Sequence, residues 1–151
     1  MLRSAIISAV LLFSTLTLLA QAQEEPVVWN FSLGVSGDVH AVLAEADVAE
    51  GWFVYSQFVE DGGPIATELD LTDTPGIELR GEPTEEGKAL SGYDEMFEME
   101  IVKYADQASF TQTFALPAGA TKVDGTLKFM ACTKKKCLPP RTVSLSLPVQ
   151  D

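Results

Sequence analysis

The sequence predicts an all-β protein built as an antiparallel β-sandwich, and three observations support this fold class. Short apolar segments recur at a spacing of roughly ten residues, with turn residues between them, as they do in sandwiches. Several segments alternate apolar and polar side chains, which is the period of a half-buried strand. Beyond residue 22, no segment shows a convincing apolar stripe with the spacing of a helix. The 151 residues suit a single domain.

Each strand follows from a local pattern. The segment 27–35 alternates cleanly, and a turn at 36–38 separates it from the second strand. The run Asp61-Gly62-Gly63-Pro64 predicts a break, because Gly permits positive φ and Pro fixes its own φ. The segment 81–92 is polar, contains three Gly and one Pro, and is predicted to be a loop. The predicted strands are 27–35, 39–46, 52–57, 67–71, 77–80, 97–104, 109–116, 123–132 and 142–147.

The N-terminal residues have the pattern of an export signal. Arg3 supplies a short positive region, 5–19 is apolar apart from Ser and Thr, and Ala20-Gln21-Ala22 has the small residues that a signal peptidase reads. The apolar run is about 15 residues, shorter than the roughly 20 needed to span a bilayer. We therefore expect a signal peptide at 1–22 and an exported domain at 23–151, with an uncleaved N-terminal anchor as the alternative.

Charge and composition exclude several classes of function. The chain has 22 acidic and 10 basic residues and a net charge of −12, which argues against nucleic-acid binding. Two cysteines and one histidine are too few for a zinc site made of Cys and His ligands. The sequence therefore predicts no metal site, no cofactor and no nucleic-acid partner.

The two cysteines form the most informative pattern in the chain. Cys132 and Cys137 bracket Thr133-Lys134-Lys135-Lys136 between strand candidates, which predicts a hairpin with a disulfide at its neck. Closing a loop of about 6 residues removes only roughly 2 kcal/mol of unfolded-state entropy, against roughly 4 kcal/mol for a loop of about 60 residues. The spacing therefore leaves two interpretations open, a structural staple and a pair that exchanges with other thiols.

Three lysines lie between the cysteines. Nearby positive charge favours the thiolate, which is the nucleophile in disulfide exchange. Lys134, Lys135 and Lys136 are also the main basic cluster of an acidic chain, so they are candidates for steering an acidic partner to the cysteines. The alternative is a solvated loop tip that only keeps the hairpin soluble.

Several segments together resemble one family, the N-terminal periplasmic domain of the thiol:disulfide interchange protein DsbD. The two cysteines and their neighbours are similar to the active-site hairpin of that family. Phe53 stands where the family's Gly-Trp-His-x-Tyr-Ser strand commonly has His. The matching segments, in chain order, are Gly51-Trp52-Phe53-Val54-Tyr55-Ser56, Asp61-Gly62-Gly63-Pro64, Asp94-Glu95-Met96-Phe97, Phe129-Met130-Ala131-Cys132 and Cys137-Leu138-Pro139-Pro140.

The resemblance implies an immunoglobulin-like sandwich in the periplasm of a Gram-negative bacterium. It implies that Cys132 and Cys137 relay reducing equivalents, and that Cys137 forms mixed disulfides with partners. The expected partners are periplasmic thioredoxin-like proteins or disulfide isomerases. A membrane protein is expected to donate electrons in trans, and the chain is expected to be a monomer. The chain would then be a protein-disulfide reductase or oxidoreductase component. The segment that resembles the family's cap over the cysteines comprises Asp94, Glu95, Met96 and Phe97.

Two other functions fit parts of the pattern. The first is a non-enzymatic immunoglobulin-like binding domain in which the hairpin disulfide is purely structural. The second is a protein that handles Cu(I), because soft thiolate and thioether ligands select that ion. The thioethers available near the thiols would be Met96, Met99 and Met130, for which packing in the core is the favoured interpretation.

Overall fold

The structure, a computed structural model, describes residues 24–149, so the predicted signal peptide lies outside the described residues. Within this range the chain forms nine strands, and no helix in it could cross a membrane. The strands are β1 (Val27–Ser36), β2 (Val39–Val48), β3 (Phe53–Tyr55), β4 (Glu68–Asp70), β5 (Glu78–Asp94), β6 (Met99–Ala115), β7 (Lys122–Phe129), β8 (Ala131–Cys132) and β9 (Arg141–Pro148).

The strands form two antiparallel sheets. The larger has six strands in the order β1-β2-β6-β3-β8, with β5 paired to β6, and the smaller has the order β4-β7-β9. Since β5 follows β6 along one edge, β2 and β3 share the other edge of β6. This two-sheet arrangement confirms the predicted sandwich.

The prediction of a loop at 81–92 is wrong, because these residues belong to β5. That strand pairs with β6 from Glu78↔Ala115 to Asp94↔Met99. The register shifts on either side of Glu85, between Arg80 and Thr84 and between Gly87 and Lys88, and Gly87 has a φ of 145°. The glycines and proline that suggested a loop thus accompany bulges in an edge strand, whose polar side chains remain largely exposed.

The strands predicted at 97–104 and 109–116 are one continuous strand. β6 begins only at Met99, because residues 95–98 form the turn that joins it to β5. Asp106 interrupts the alternation with a φ of 60°, and its carboxylate pairs with Lys88 of β5. The segment predicted at 123–132 is instead divided between the sheets, with β7 in the smaller and β8 in the larger.

Apolar side chains from both sheets fill the interior. Trp29 packs on Phe110 and Phe129, with ring centroids 5.7 and 5.3 Å apart, which joins the two sheets through their aromatic rings. A second buried cluster surrounds Phe114 and Leu145. A third contains Tyr55, Ile101, Met130 and Cys132. The cysteine pair is therefore attached to the hydrophobic core.

A half-buried carboxylate anchors β5 to the segment after β3. Glu85 accepts hydrogen bonds from the Ser56 hydroxyl (2.6 Å), the Gln57 backbone N–H (2.8 Å) and the Tyr104 hydroxyl (3.1 Å). Burial, and then the charge and hydrogen bond of Glu85, raise the pKa of Tyr104 to about 12. This network holds β3, β5 and β6 together behind the cysteine pair.

Candidate functional site

The cysteines close a short hairpin at the edge of the larger sheet. Cys132 pairs with Phe53 of β3 on one side and with Cys137 on the other, to which it is disulfide-bonded with 4.0 Å between the Cα atoms. The Thr133 N–H donates to the Lys136 carbonyl at 2.7 Å, and the Leu138 N–H donates to the Ala131 carbonyl at 2.9 Å. The hairpin and disulfide predicted from the spacing are confirmed.

The two sulfur-bearing residues have different surroundings. Cys132 is completely buried, among Tyr55, Ile101 and Met130. Cys137 is only partly buried and lies at the outer side of the same cluster. An incoming thiol or disulfide would therefore reach Cys137 first, while Cys132 is protected beneath it.

The turn that follows β5 lies against the cysteines. The Met96 Sδ atom lies 3.5 Å from the Cys137 Sγ atom. The Phe97 ring packs edge-on against Tyr55, with 5.9 Å between the centroids, inside the cluster that holds both cysteines. Glu95 is exposed, whereas Asp94 is half-buried at the base of the turn. We refer to residues 94–97 as the cap segment.

Asp94 fixes the shape of the cap segment. Its Oδ2 atom accepts a hydrogen bond from the Lys103 ammonium at 2.7 Å, and its Oδ1 atom accepts one from the Met96 N–H at 2.9 Å. Burial opposes ionisation of this carboxyl, but the bonds from Lys103 and Met96 outweigh it, so the pKa of Asp94 is lowered. The carboxylate therefore remains charged at the base of the cap segment.

We refer to residues 133–136, between the two cysteines, as the cysteine loop. A cavity of about 300 Å³ opens between the cap segment and this loop. Tyr55 lies in its wall, and burial followed by repulsion from Asp94 raises the pKa of that phenol. The wall comprises Tyr55, Tyr93, Asp94, Glu95, Met96, Lys103, Thr133 and Lys134. The cavity thus brings both signs of charge and two phenol rings together next to the loop between the cysteines.

The model of one family, the thiol:disulfide interchange protein DsbD, N-terminal, matches residues 20–148. The chain belongs to this family. A comparison with curated protein sequences finds no match.

Solved structures of DsbD N-terminal relatives show the same fold. The N-terminal domain of DsbD from Neisseria meningitidis in the reduced form superposes with a TM-score of 0.54 at 20% identity, covering 82% of this chain and 86% of that one. The N-terminal periplasmic domain of ScsB from Proteus mirabilis gives a TM-score of 0.59 at 16% identity, covering 82% of this chain and 47% of that one. The chain therefore spans about half the length of the ScsB structure. The likeness confirms an immunoglobulin-like β-sandwich.

The three lysines of the cysteine loop differ in their contacts, although the sequence treats them alike. The Lys136 ammonium pairs with Glu24 at 2.7 Å and lies 5.4 Å from the centroid of the Trp52 ring. Lys134 and Lys135 are exposed, and Lys134 reaches the wall of the cavity. Of these three lysines, Lys136 alone forms an ion pair among residues 24–149, so the uncompensated positive charge of the loop comes mainly from the other two.

The three methionines among residues 24–149 also differ in their packing. Met130 is buried, and Met99 packs against the same cluster. Met96 is 43% exposed, and its sulfur contacts Cys137. Core packing therefore accounts for Met99 and Met130, while Met96 belongs to the surface of the site.

The sequence did not single out Lys103, Glu24 or Glu85. Lys103 is a lone cation in a predicted strand, and its contact with Asp94 depends on the register of β5 and β6. Glu24 meets Lys136 across 112 positions of sequence. Glu85 lies in the segment 81–92, which the sequence predicts to be a loop. The only local signal was the alternation of 97–104, which places Lys103 on one face with Ile101.

Proposed function

We propose that the chain is an exported thiol–disulfide interchange module that passes reducing equivalents to partner proteins through Cys132 and Cys137. The observation that carries this proposal is the unequal burial of the pair, since Cys132 is fully buried and Cys137 is partly exposed beneath a covering turn. A disulfide that only stabilised the hairpin would need neither the cover nor the asymmetry. Membership of the DsbD N-terminal family supports the same chemistry.

The exchange proceeds in two displacements. The Cys137 thiol loses its proton, and the thiolate attacks one sulfur of a partner disulfide, forming a mixed disulfide and releasing the partner's other sulfur as a thiolate. Cys132 then loses its proton and attacks the Cys137 sulfur, which releases the second partner thiolate. Two electrons reach the partner, two protons are available for its thiolates, and the Cys132–Cys137 disulfide is restored. A dithiol donor acting in trans returns the pair to its reduced form.

The expected location is the periplasm, and the expected partners are thioredoxin-like proteins or disulfide isomerases. Three observations support this assignment. The chain belongs to the DsbD N-terminal family, residues 1–22 have the pattern of a signal peptide, and the similar ScsB domain is periplasmic. Intact-mass measurement of protein recovered from the periplasm should show a chain that begins at Gln23. A chain that retains Met1 would instead indicate an anchor.

The proposal is tested by equilibrating the protein with glutathione redox buffers. We expect the pair to reach equilibrium and to show a potential within the range of exchange proteins, about −120 to −270 mV. Cys132→Ala should trap mixed disulfides with thioredoxin-like proteins in cells, and Cys137→Ala should trap none. A disulfide that resists reduction down to about −300 mV, together with no trapped complex, would identify a structural staple and overturn the proposal.

A second candidate function is binding of Cu(I) by the reduced pair, and one contact favours it. The Met96 thioether already lies 3.5 Å from the Cys137 sulfur, so reduction would leave two thiols and a thioether grouped together. Such soft ligands select Cu(I), and binding would release the two thiol protons. Cu(I) competition with a chromophoric chelator should show one tight site in the reduced protein and none in the oxidised protein. An equal affinity for Cu(I) in the Met96→Leu variant would show that the Met96 thioether is not a ligand.

A further inference from the structure

We propose that Lys103 is a positioning residue that holds the cap segment closed over Cys137 by fixing Asp94. This inference rests on the proposed function, because it assigns control of access to the same cysteine. Lys103 contacts neither sulfur, and it acts through the carboxylate and the turn that this carboxylate organises.

The first step is the ion pair at the base of the cap segment. The Lys103 Nζ atom lies 2.7 Å from Asp94 Oδ2, and the two side chains are only 21% and 11% exposed. Surface ion pairs contribute little, but a pair removed this far from water is weakly screened. Among the ion pairs of residues 24–149, this one has the least exposed partners.

Lys103 is itself held in place from both sides. It lies on β6 opposite Tyr55 of β3 and Leu90 of β5. Its ammonium also lies 4.6 Å from the centroid of the Phe53 ring, a cation–π contact, and Phe53 pairs with Cys132. A central strand that pairs on both sides therefore presents the charge to the turn of the β5–β6 hairpin from a fixed position.

The second oxygen of Asp94 transmits this constraint to the cap segment. Oδ1 accepts the Met96 N–H at 2.9 Å, so one carboxylate joins the central strand to the backbone of the turn. The Met96 side chain then extends to 3.5 Å from the Cys137 sulfur. Without Lys103, Asp94 would gain stability by turning towards water, and the turn would lose the acceptor that places Met96.

Charges from three neighbouring elements line the cavity beside the cysteine loop. Asp94 and Glu95 come from the cap segment, Lys103 comes from β6, and Lys134 comes from the cysteine loop. Lys136 is paired with Glu24, and the phenol rings of Tyr55 of β3 and Tyr93 of β5 line the same cavity. Removing Lys103 therefore leaves Asp94 uncompensated, which disfavours the Cys137 thiolate and raises its pKa.

Alkylation of Cys137 separates the change in access to its sulfur from the change in its thiol pKa. In a Cys132→Ala background, the rate of reaction with iodoacetamide is measured from pH 6 to pH 11; its plateau reports access to the sulfur, and its midpoint reports the thiol pKa. We expect Lys103→Met to raise the plateau about fivefold, as the loss of a partly buried ion pair would, and to move the midpoint upward by about half a pH unit. Lys103→Arg should restore both values.

Asp94→Asn should raise the plateau as Lys103→Met does, but without the upward movement of the midpoint, because it removes the negative charge. Lys128→Met, an exposed lysine on the smaller sheet, should leave both values unchanged. Urea unfolding of each variant shows whether it is folded at the temperature used. Unchanged plateaus in folded Lys103→Met, or in Asp94→Asn if the first variant does not fold, would overturn the proposal. Alkylation requires no partner or redox potential, so this result is independent of the glutathione measurement.

Discussion

Met96 contacts Cys137 through a single thioether while 43% of its own surface remains in solvent. Because this contact is limited to one thioether, a binding partner can displace the Met96 side chain from Cys137. We predict that Met96→Ala speeds oxidation of the reduced pair by small oxidants, by about three- to tenfold, because opening the turn no longer has to break an apolar contact of about 1 kcal/mol. Stopped-flow oxidation measures this. Met96→Leu is the control, since it keeps an apolar cover and should react at nearly the wild-type rate.

Phe97 packs on the inner side of the site, and its substitution should have a different effect. Its ring packs on Tyr55 within the cluster that contains both cysteines. We predict that Phe97→Ala lowers the free energy of unfolding by about 2 kcal/mol, below the range for a fully buried Phe because this ring is half-buried. The double variant Met96→Ala/Phe97→Ala should oxidise faster than either single variant. If all three oxidise at the wild-type rate, residues 94–97 do not shield the cysteines.

Asp94 should make the fold sensitive to acid. Its pKa is lowered in the folded protein, so the stability that it contributes is present above its unfolded value of 3.8 and is lost as the pH falls through the folded value. We predict that Asp94→Asn flattens the fall in urea stability below about pH 4. Asp38→Asn, an exposed aspartate in the β1–β2 turn, is the matched control and should keep the wild-type slope.

The long β5–β6 hairpin depends on Glu85, which receives three hydrogen bonds from β6 and from the segment after β3. We predict that Glu85→Ala lowers the free energy of unfolding by about 1–3 kcal/mol, because half-buried donors lose their acceptor. Glu86→Ala, the exposed neighbour, should have almost no effect. Spectrophotometric titration gives a second measurement, since the pKa of Tyr104 should fall from about 12 towards its ordinary value in the first variant alone.

Elements with a clean alternation were predictable, and β5 was not. β1 and β9 show their buried face at every second residue, because each has one side in the core. Most side chains of β5 are exposed on both faces, so no alternation marks it. Its pairing is specified by β6, a strand that meets it across a turn, and single-segment patterns carry no such information. Missing β5 also concealed the contact between Asp94 and Lys103.

For the whole molecule, the contrast between an acidic body and a basic cysteine loop predicts steered association. Lys134 and Lys135 are exposed, whereas Lys136 is paired with Glu24. We predict that Lys134→Gln/Lys135→Gln slows exchange with an acidic partner, and that adding Lys136→Gln slows it little further. The effect should disappear near 1 M salt, where the Debye length is about 3 Å. Lys122→Gln/Lys128→Gln makes the same change of charge on the smaller sheet and should leave the rate unaltered.

Reduction of the disulfide should leave the domain folded. The bridge closes a short loop whose backbone is already held by the hydrogen bonds of Thr133 and Leu138. We predict that reduction lowers the free energy of unfolding by about 2 kcal/mol or less, which denaturant melts of the oxidised and reduced forms would measure. Unfolding of the reduced protein in native buffer would show that the bridge is a staple.

The cysteine hairpin itself was predictable because its geometry is local: two strand ends, a short loop and a pair of thiols suffice. The surroundings of the pair were not, since Glu24 and Lys136 are 112 positions apart and meet only when the first described residues lie against the cysteine loop. The different environments of Met96 and Met99 were equally hidden in the sequence, where the two residues lie close together. Only the structure shows that β6 begins at Met99, whereas Met96 lies in the turn before it.

The turn at 95–98 has a consequence for how the chain folds. Asp94 and Met99 pair directly across it, and the pairing continues outward as far as Glu78 and Ala115. Closing so short a loop costs little chain entropy. Once the residues next to the turn have paired, each further pair of residues extends an existing hairpin. The first native contacts should therefore form beside the residues that later cover Cys137. Substitutions in this turn would then alter the refolding rate as well as access to the sulfur.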